Sequence, residues 1–162
     1  MKLFIKITLI IFYLSINTSG QAQKTFDERA LGSWEGTGTL FGMEAQFSMK
    51  WERTLNGKFL KLTFQNQFKD QRGKERVMDA HGYYNTVNGK GQWLDSRGQV
   101  LPLLLSMDRK TLKVFWGDDN TEQGKTIYMI VGKKMAVEDY VMKDGLLSPF
   151  GKAEYVKVKS EK

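Results

Sequence analysis

Between Ala45 and Phe68 the chain displays a period of two. Ala45, Phe47, Met49 and Trp51 alternate with Gln46, Ser48, Lys50 and Glu52. That repeat sends one set of side chains to a buried face and the other to water, which predicts a half-buried strand. Asn56-Gly57 follows, a pair that readily takes the positive φ angles of a tight hairpin turn. The return segment, Lys58 to Phe68, puts Leu60, Leu62, Phe64 and Phe68 on one side and Lys61, Thr63, Gln65 and Gln67 on the other. A helix would scatter both sets around its circumference. The chain is therefore committed to sheet.

The same pattern continues to the C-terminus. Strands are expected at Gly32–Leu40, Glu75–Asn85, Gly91–Asp95, Gln99–Met107, Thr111–Trp116, Lys125–Val131, Met135–Met142 and Lys152–Val158. With the first hairpin they make ten. Turn clusters separate them, among them Asp70-Gln71-Arg72-Gly73, Asn88-Gly89, Ser96-Arg97-Gly98 and Lys143-Asp144-Gly145. The only helical signal is about one turn at Phe26 to Leu31. A β-sandwich needs long crossovers, and none of these linkers is long. The expected fold is an all-β, antiparallel up-and-down barrel of about ten strands. Leu101-Pro102-Leu103-Leu104-Leu105 is apolar on both faces, and Pro102 assigns that strand to an edge or a bulge.

Residues 1–22 read as a cleaved export signal. Lys2 and Lys6 precede an apolar run from Ile7 to Leu14, and Gly20-Gln21-Ala22 places small residues around a cut after Ala22. The run is far shorter than the roughly 20 residues a membrane span needs. The chain contains no Cys, which rules out disulfides, thiolate zinc sites, cysteine nucleophiles and a lipid anchor at the cut. The expected product is a domain over residues 23–162, secreted with the periplasm as its destination and not inserted in a membrane. Without Lys2 and Lys6 the net charge falls from +7 to +5. The cations are scattered singly, so no nucleic-acid partner is expected.

Leu31-Gly32-Ser33-Trp34-Glu35-Gly36-Thr37-Gly38 contains the Gly-x-Trp that opens lipocalins. Leu55-Asn56-Gly57-Lys58-Phe59-Leu60, Gly82-Tyr83-Tyr84-Asn85 leading to Trp93-Leu94-Asp95-Ser96, and Ala153-Glu154-Tyr155-Val156-Lys157 follow in order. Together they resemble an uncharacterised bacterial, secreted lipocalin-like family of the calycin superfamily. The resemblance implies that Trp34 plugs one barrel end under a basic residue of the last strand, Lys152 or Lys157. The Trp-x-Gly-x-Gly stretch is also similar to nitrobindins, which hold haem through a histidine near the C-terminus. Here the last strand has no His, and the single His81 lies early in the chain. No haem or other cofactor is expected.

Ten strands should enclose a cavity, since about eight marks the boundary between a filled and an open lumen. The residues expected to face a ligand are Phe47, Met49, Trp51, Leu62, Phe64, Tyr84, Trp93, Trp116, Met129 and Tyr140, with Leu112, Val114 and Val137 beside them. Seven of the eight Met lie beyond the signal, which suggests an adaptable apolar pocket. The partner expected from this set is a small hydrophobic or amphipathic molecule, bound without catalysis. Two alternatives carry different chemistry. A filled barrel would work through its exterior as an envelope-protein partner. A calycin-type enzyme would use Asp79 and His81, on one strand face, with Ser96 or Ser106, although no Gly-x-Ser-x-Gly elbow is present. Glu138-Asp139 reads as a solvent-facing Glu beside an Asp that ends or lines the strand. The acidic stretch Gly117 to Gly124 fails the EF-hand pattern and reads as a solvated loop.

Overall fold

The computed structural model describes residues 24–159, so the expected export signal lies outside the described residues. A five-residue helix, α1 (Phe26–Ala30), leads into ten strands. These are β1 (Gly32–Leu40), β2 (Met43–Thr54), β3 (Phe59–Lys69), β4 (Glu75–Asn85), β5 (Lys90–Asp95), β6 (Val100–Met107), β7 (Thr111–Trp116), β8 (Gly124–Val131), β9 (Lys134–Lys143) and β10 (Leu146–Lys157). Each pairs antiparallel with its sequence neighbours, and β1 pairs with β10 from Trp34↔Lys157 to Leu40↔Gly151, closing the barrel. Closure leaves no sheet edge open to pairing with another chain.

Alternation decides which residues face inward. In β2 the buried row is Ala45, Phe47, Met49 and Trp51, as the sequence pattern requires. At the end where β1 begins, side chains pack most of the lumen and leave a smaller pocket of about 240 Å³ against the β4–β5 turn. Trp34, Trp51, Leu60, Leu62, Leu112, Ile130 and Met135 are buried there, and Phe26 of α1 meets Trp51 edge-on at 6.2 Å. The helix is fastened in three ways. Trp34 Nε1 donates to the Ala30 carbonyl at 2.7 Å, Arg53 pairs with Asp27 at 2.6 Å, and Arg29 donates to the Ile130 carbonyl. Lys157 Nζ lies 5.2 Å from the Trp34 ring centroid and donates to the Arg29 carbonyl. The basic cover expected for Trp34 is therefore Lys157, while Lys152 points outward.

Two expectations about strands need correction. β10 starts at Leu146, six residues before the expected start, because a bulge between Pro149 and Gly151 absorbs the irregularity that Pro149 introduces. β6 is not an edge strand, since it pairs with both β5 and β7. Pro102 is tolerated because it lies opposite the place where β7 ends. Its carbonyl accepts from Gly117 N, and its missing N–H falls beyond the last β7 pair, Leu103↔Trp116.

Candidate functional site

The half of the barrel away from α1 is open. A cavity of about 780 Å³ runs from mid-barrel to a mouth at the β1–β2, β3–β4 and β7–β8 turns. Five of the expected ligand-facing residues line it: Phe47, Phe64, Tyr84, Trp93 and Trp116. Val114 and Val137 line it with them. Phe64 and Trp93 pack at 5.8 Å between ring centroids, and Phe47 lies 5.9 Å from Tyr155, so much of the wall is aromatic.

The other five expected residues are placed elsewhere. Met49, Trp51 and Leu62 are inward but sit in the filled half, 3%, 1% and 0% exposed, below the cavity floor. Leu112 is with them. Met129 faces water at 43% exposure, because its neighbours Tyr128 and Ile130 hold the inward positions of β8. Tyr140 is also outside, its hydroxyl donating to Glu138 at 2.8 Å and Lys125 Nζ above its ring at 4.7 Å. Val137 faces in, and a residue three positions along a regular strand must face out. The methionine-rich pocket is corrected too: Met78 is the one methionine lining the cavity. Aromatic rings line the cavity where thioethers were expected.

A polar cluster that the sequence reading did not assemble sits in the lumen. Trp116 Nε1 donates to Thr126 Oγ1 at 3.3 Å, and Thr126 Oγ1 donates to Asp139 Oδ1 at 2.6 Å. The exposed surface that Asp139 keeps faces the cavity, not bulk solvent. Burial pushes its carboxyl up to about 6, against the partial relief from Thr126. Tyr84, Tyr128 and Tyr155 also line the cavity. Burial, with the nearby Asp139 charge, raises all three phenols, and the Tyr84 and Tyr128 hydroxyls are hydrogen-bonded to each other. On the β3 wall, Asn66 is 3% exposed and its Oδ1 has no hydrogen-bond partner. The signal for Asn66 and Asp139 was parity. Asn66 falls in the Leu60, Leu62, Phe64, Phe68 row, and Asp139 in the row of Met135 and Val137.

Ion pairs border the mouth. Arg97 donates to Asp95 through Nη2 at 2.8 Å and Nε at 3.1 Å, and Trp93 Nε1 reaches the same carboxylate oxygen at 3.3 Å. Burial raises the Asp95 carboxyl, but Arg97 and Trp93 outweigh it and the net shift is downward. Arg76 pairs with Asp70 at 2.8 Å. Phe41, 59% exposed, stacks on Phe150 at 5.1 Å. Asp79 and His81 are exposed on the outer face of β4, where Asp79 accepts from Gln65 at 2.8 Å. His81 is thus separated from the lumen by the barrel wall, and a haem held by imidazole in the cavity does not fit this chain. In the 117–124 loop, Asp118 accepts from Asn120 N and Thr121 Oγ1, and Asp119 from Gln123. Among the described residues no three or more His, Cys, Asp or Glu side chains are grouped to hold a metal.

No protein-family model matches the chain, and no curated protein is significantly similar to it.

Proposed function

We propose that the protein is an exported, non-enzymatic binding protein that holds a small hydrophobic or amphipathic molecule in the open half of its lumen. The observation that carries this reading is the cavity itself. At about 780 Å³ it falls within the roughly 300–1,000 Å³ of small-molecule sites. Its wall also has the composition of such sites, apolar and aromatic with a few convergent polar groups. Desolvation of apolar surface supplies affinity, at about 25 cal/mol per Å². Asp139, Asn66 and the tyrosine hydroxyls set orientation.

The lipocalin-like motif order and the export signal support the same reading. A carrier in the periplasm needs a water-facing exterior, and the outward rows of β2 and β3 are polar (Gln46, Ser48, Lys50; Lys61, Thr63, Gln65). A membrane barrel shows the reverse arrangement.

Native mass spectrometry of protein purified from its own host tests the proposal. The expected spectrum contains the mature chain with a co-purifying small molecule that leaves on collisional activation. Protein that remains empty, and takes up no apolar probe when refolded, would overturn the reading.

A further inference from the structure

We infer that the ligand carries an ammonium group, seated on the Asp139 carboxylate among the rings of the deep lumen. The inference deepens the binding reading above and rests on it. Asp139 Oδ1 is occupied by Thr126, but among the described residues no hydrogen bond reaches Oδ2, which lies beside Gly151 where an added Cβ would fall 3.0 Å from it. A carboxylate with one free oxygen facing a largely apolar lumen calls for a donor that also brings positive charge. Among the described residues none is paired with it. Lys143 faces inward four residues along the same strand, but among the described residues no ion pair joins it to Asp139. Arg76 and Arg97 at the mouth are already paired with Asp70 and Asp95.

Two further features have the same polarity. The phenols of Tyr84, Tyr128 and Tyr155 lie close enough to Asp139 to feel its charge. Aromatic faces attract a cation most strongly when it is desolvated. On the nearly opposite wall Asn66 Oδ1 is buried without a partner, again an acceptor, whereas the other such atom among the described residues, the donor Trp51 Nε1, lies in the packed half below the cavity floor. The two acceptors that face the cavity therefore ask for hydrogen-bond donors. A fatty acid meets neither need, because its carboxylate would be repelled from Asp139 and its tail would strand two polar atoms.

Three probes of equal chain length separate the possibilities: dodecylamine, dodecan-1-ol and dodecanoate, titrated calorimetrically into the full-length mature protein at pH 7.5. Dodecylammonium is expected to bind at least about tenfold tighter than dodecan-1-ol, the effect of one charge-assisted contact in a dry site. Dodecanoate is expected to bind weakest. In Asp139→Asn the ammonium and alcohol affinities should converge to within about threefold. Near pH 5, where Asp139 takes up a proton, the wild-type preference should shrink in the same way. Of the groups facing Asp139, Thr126 has no titratable proton in that interval and burial keeps the three tyrosine phenols protonated.

Equal affinity for amine and alcohol, or tightest binding of dodecanoate, would overturn the ammonium inference and leave the cavity reading standing. A preference that survives in Asp139→Asn would overturn the assignment to Asp139. Failure of all three probes to bind would overturn the cavity reading, and this inference with it.

Discussion

A carboxylate turned toward an apolar lumen costs free energy whenever it is charged, and Asp139 is placed that way. Its folded-state pKa of about 6 lies above the ordinary value of 3.8. Well below its ordinary value of 3.8 the carboxyl is protonated in both folded and unfolded chains and costs nothing. As pH rises from 3.8 towards about 6 the unfolded chain ionises it while the folded chain holds the proton, so stability falls, and the loss levels off once the folded form ionises too. The gap corresponds to at most about 3 kcal/mol, less whatever water in the lumen recovers. Asp139→Asn is therefore expected to raise Tm at pH 7.5 by about 3–8 °C and to leave it nearly unchanged at pH 4. Thermal unfolding followed by circular dichroism at the two pH values checks this; a lower Tm at pH 7.5 would contradict it. Trp51 behaves differently. It is wedged between Phe26, Tyr84 and Tyr128, with ring centroids 5.2–6.2 Å away. Trp51→Ala should cost about 3–5 kcal/mol in urea unfolding. The sequence alone placed Trp51 against the ligand, and on that reading binding would suffer more than stability. The filled end of the barrel reverses the order.

Among the elements, β7 and β8 show how a glycine makes room for a side chain of the cavity wall. A Cβ on Gly124 would fall 2.2 Å from both the Trp116 ring and the Tyr140 carbonyl. Gly124→Ala should therefore displace Trp116 from the lumen wall, break its contact with Thr126, and cost about 1–3 kcal/mol. A changed indole environment in near-ultraviolet circular dichroism, together with a lower unfolding midpoint, is the expected result. Strand existence was legible throughout because most elements carry their own alternation, and those that do not, such as β6, are still bounded by turns of Gly, Asn or Asp. All ten expected strands are present. Strand facing was less legible. Met129 and Tyr140 look like lumen residues by side-chain chemistry, but parity with Tyr128, Ile130 and Val137 places them outside. Asn66, Thr126 and Asp139 break the apolar code at inward positions, so a reading that sorts by hydrophobicity sends them to the surface. Positions where local pattern and final placement disagree concentrate at functional sites. In this barrel three of them line one cavity.

Across the whole molecule, the barrel divides along its axis into a packed half and an open half. The sequence offered a filled lumen and an open lumen as alternatives, because strand count fixes the circumference and cannot say how far side chains fill the length. The difference comes from large inward residues concentrated near α1. Phe26, Trp34, Trp51, Leu60 and Met135 close that end, whereas the mouth keeps inward Val141 and Lys143 beside Phe41 and Phe150. Stability should therefore reside in the packed half and binding in the open half. Phe26→Ala is expected to lower the urea midpoint, by about 3–5 kcal/mol, while leaving probe affinity within about twofold. Loss of affinity in step with stability would show that the two halves are one unit.

Whether a ligand sits in the open half of the lumen can be measured directly. Fluorescence titration with N-phenyl-1-naphthylamine, a neutral apolar probe, tests it when wild-type protein is compared with Val141→Trp, which projects an indole into the cavity. Wild type should bind one probe saturably, and the filled variant, with an unchanged far-ultraviolet spectrum, should lose at least about tenfold in affinity. Equal binding by both proteins, or no saturable binding by wild type, would contradict the account.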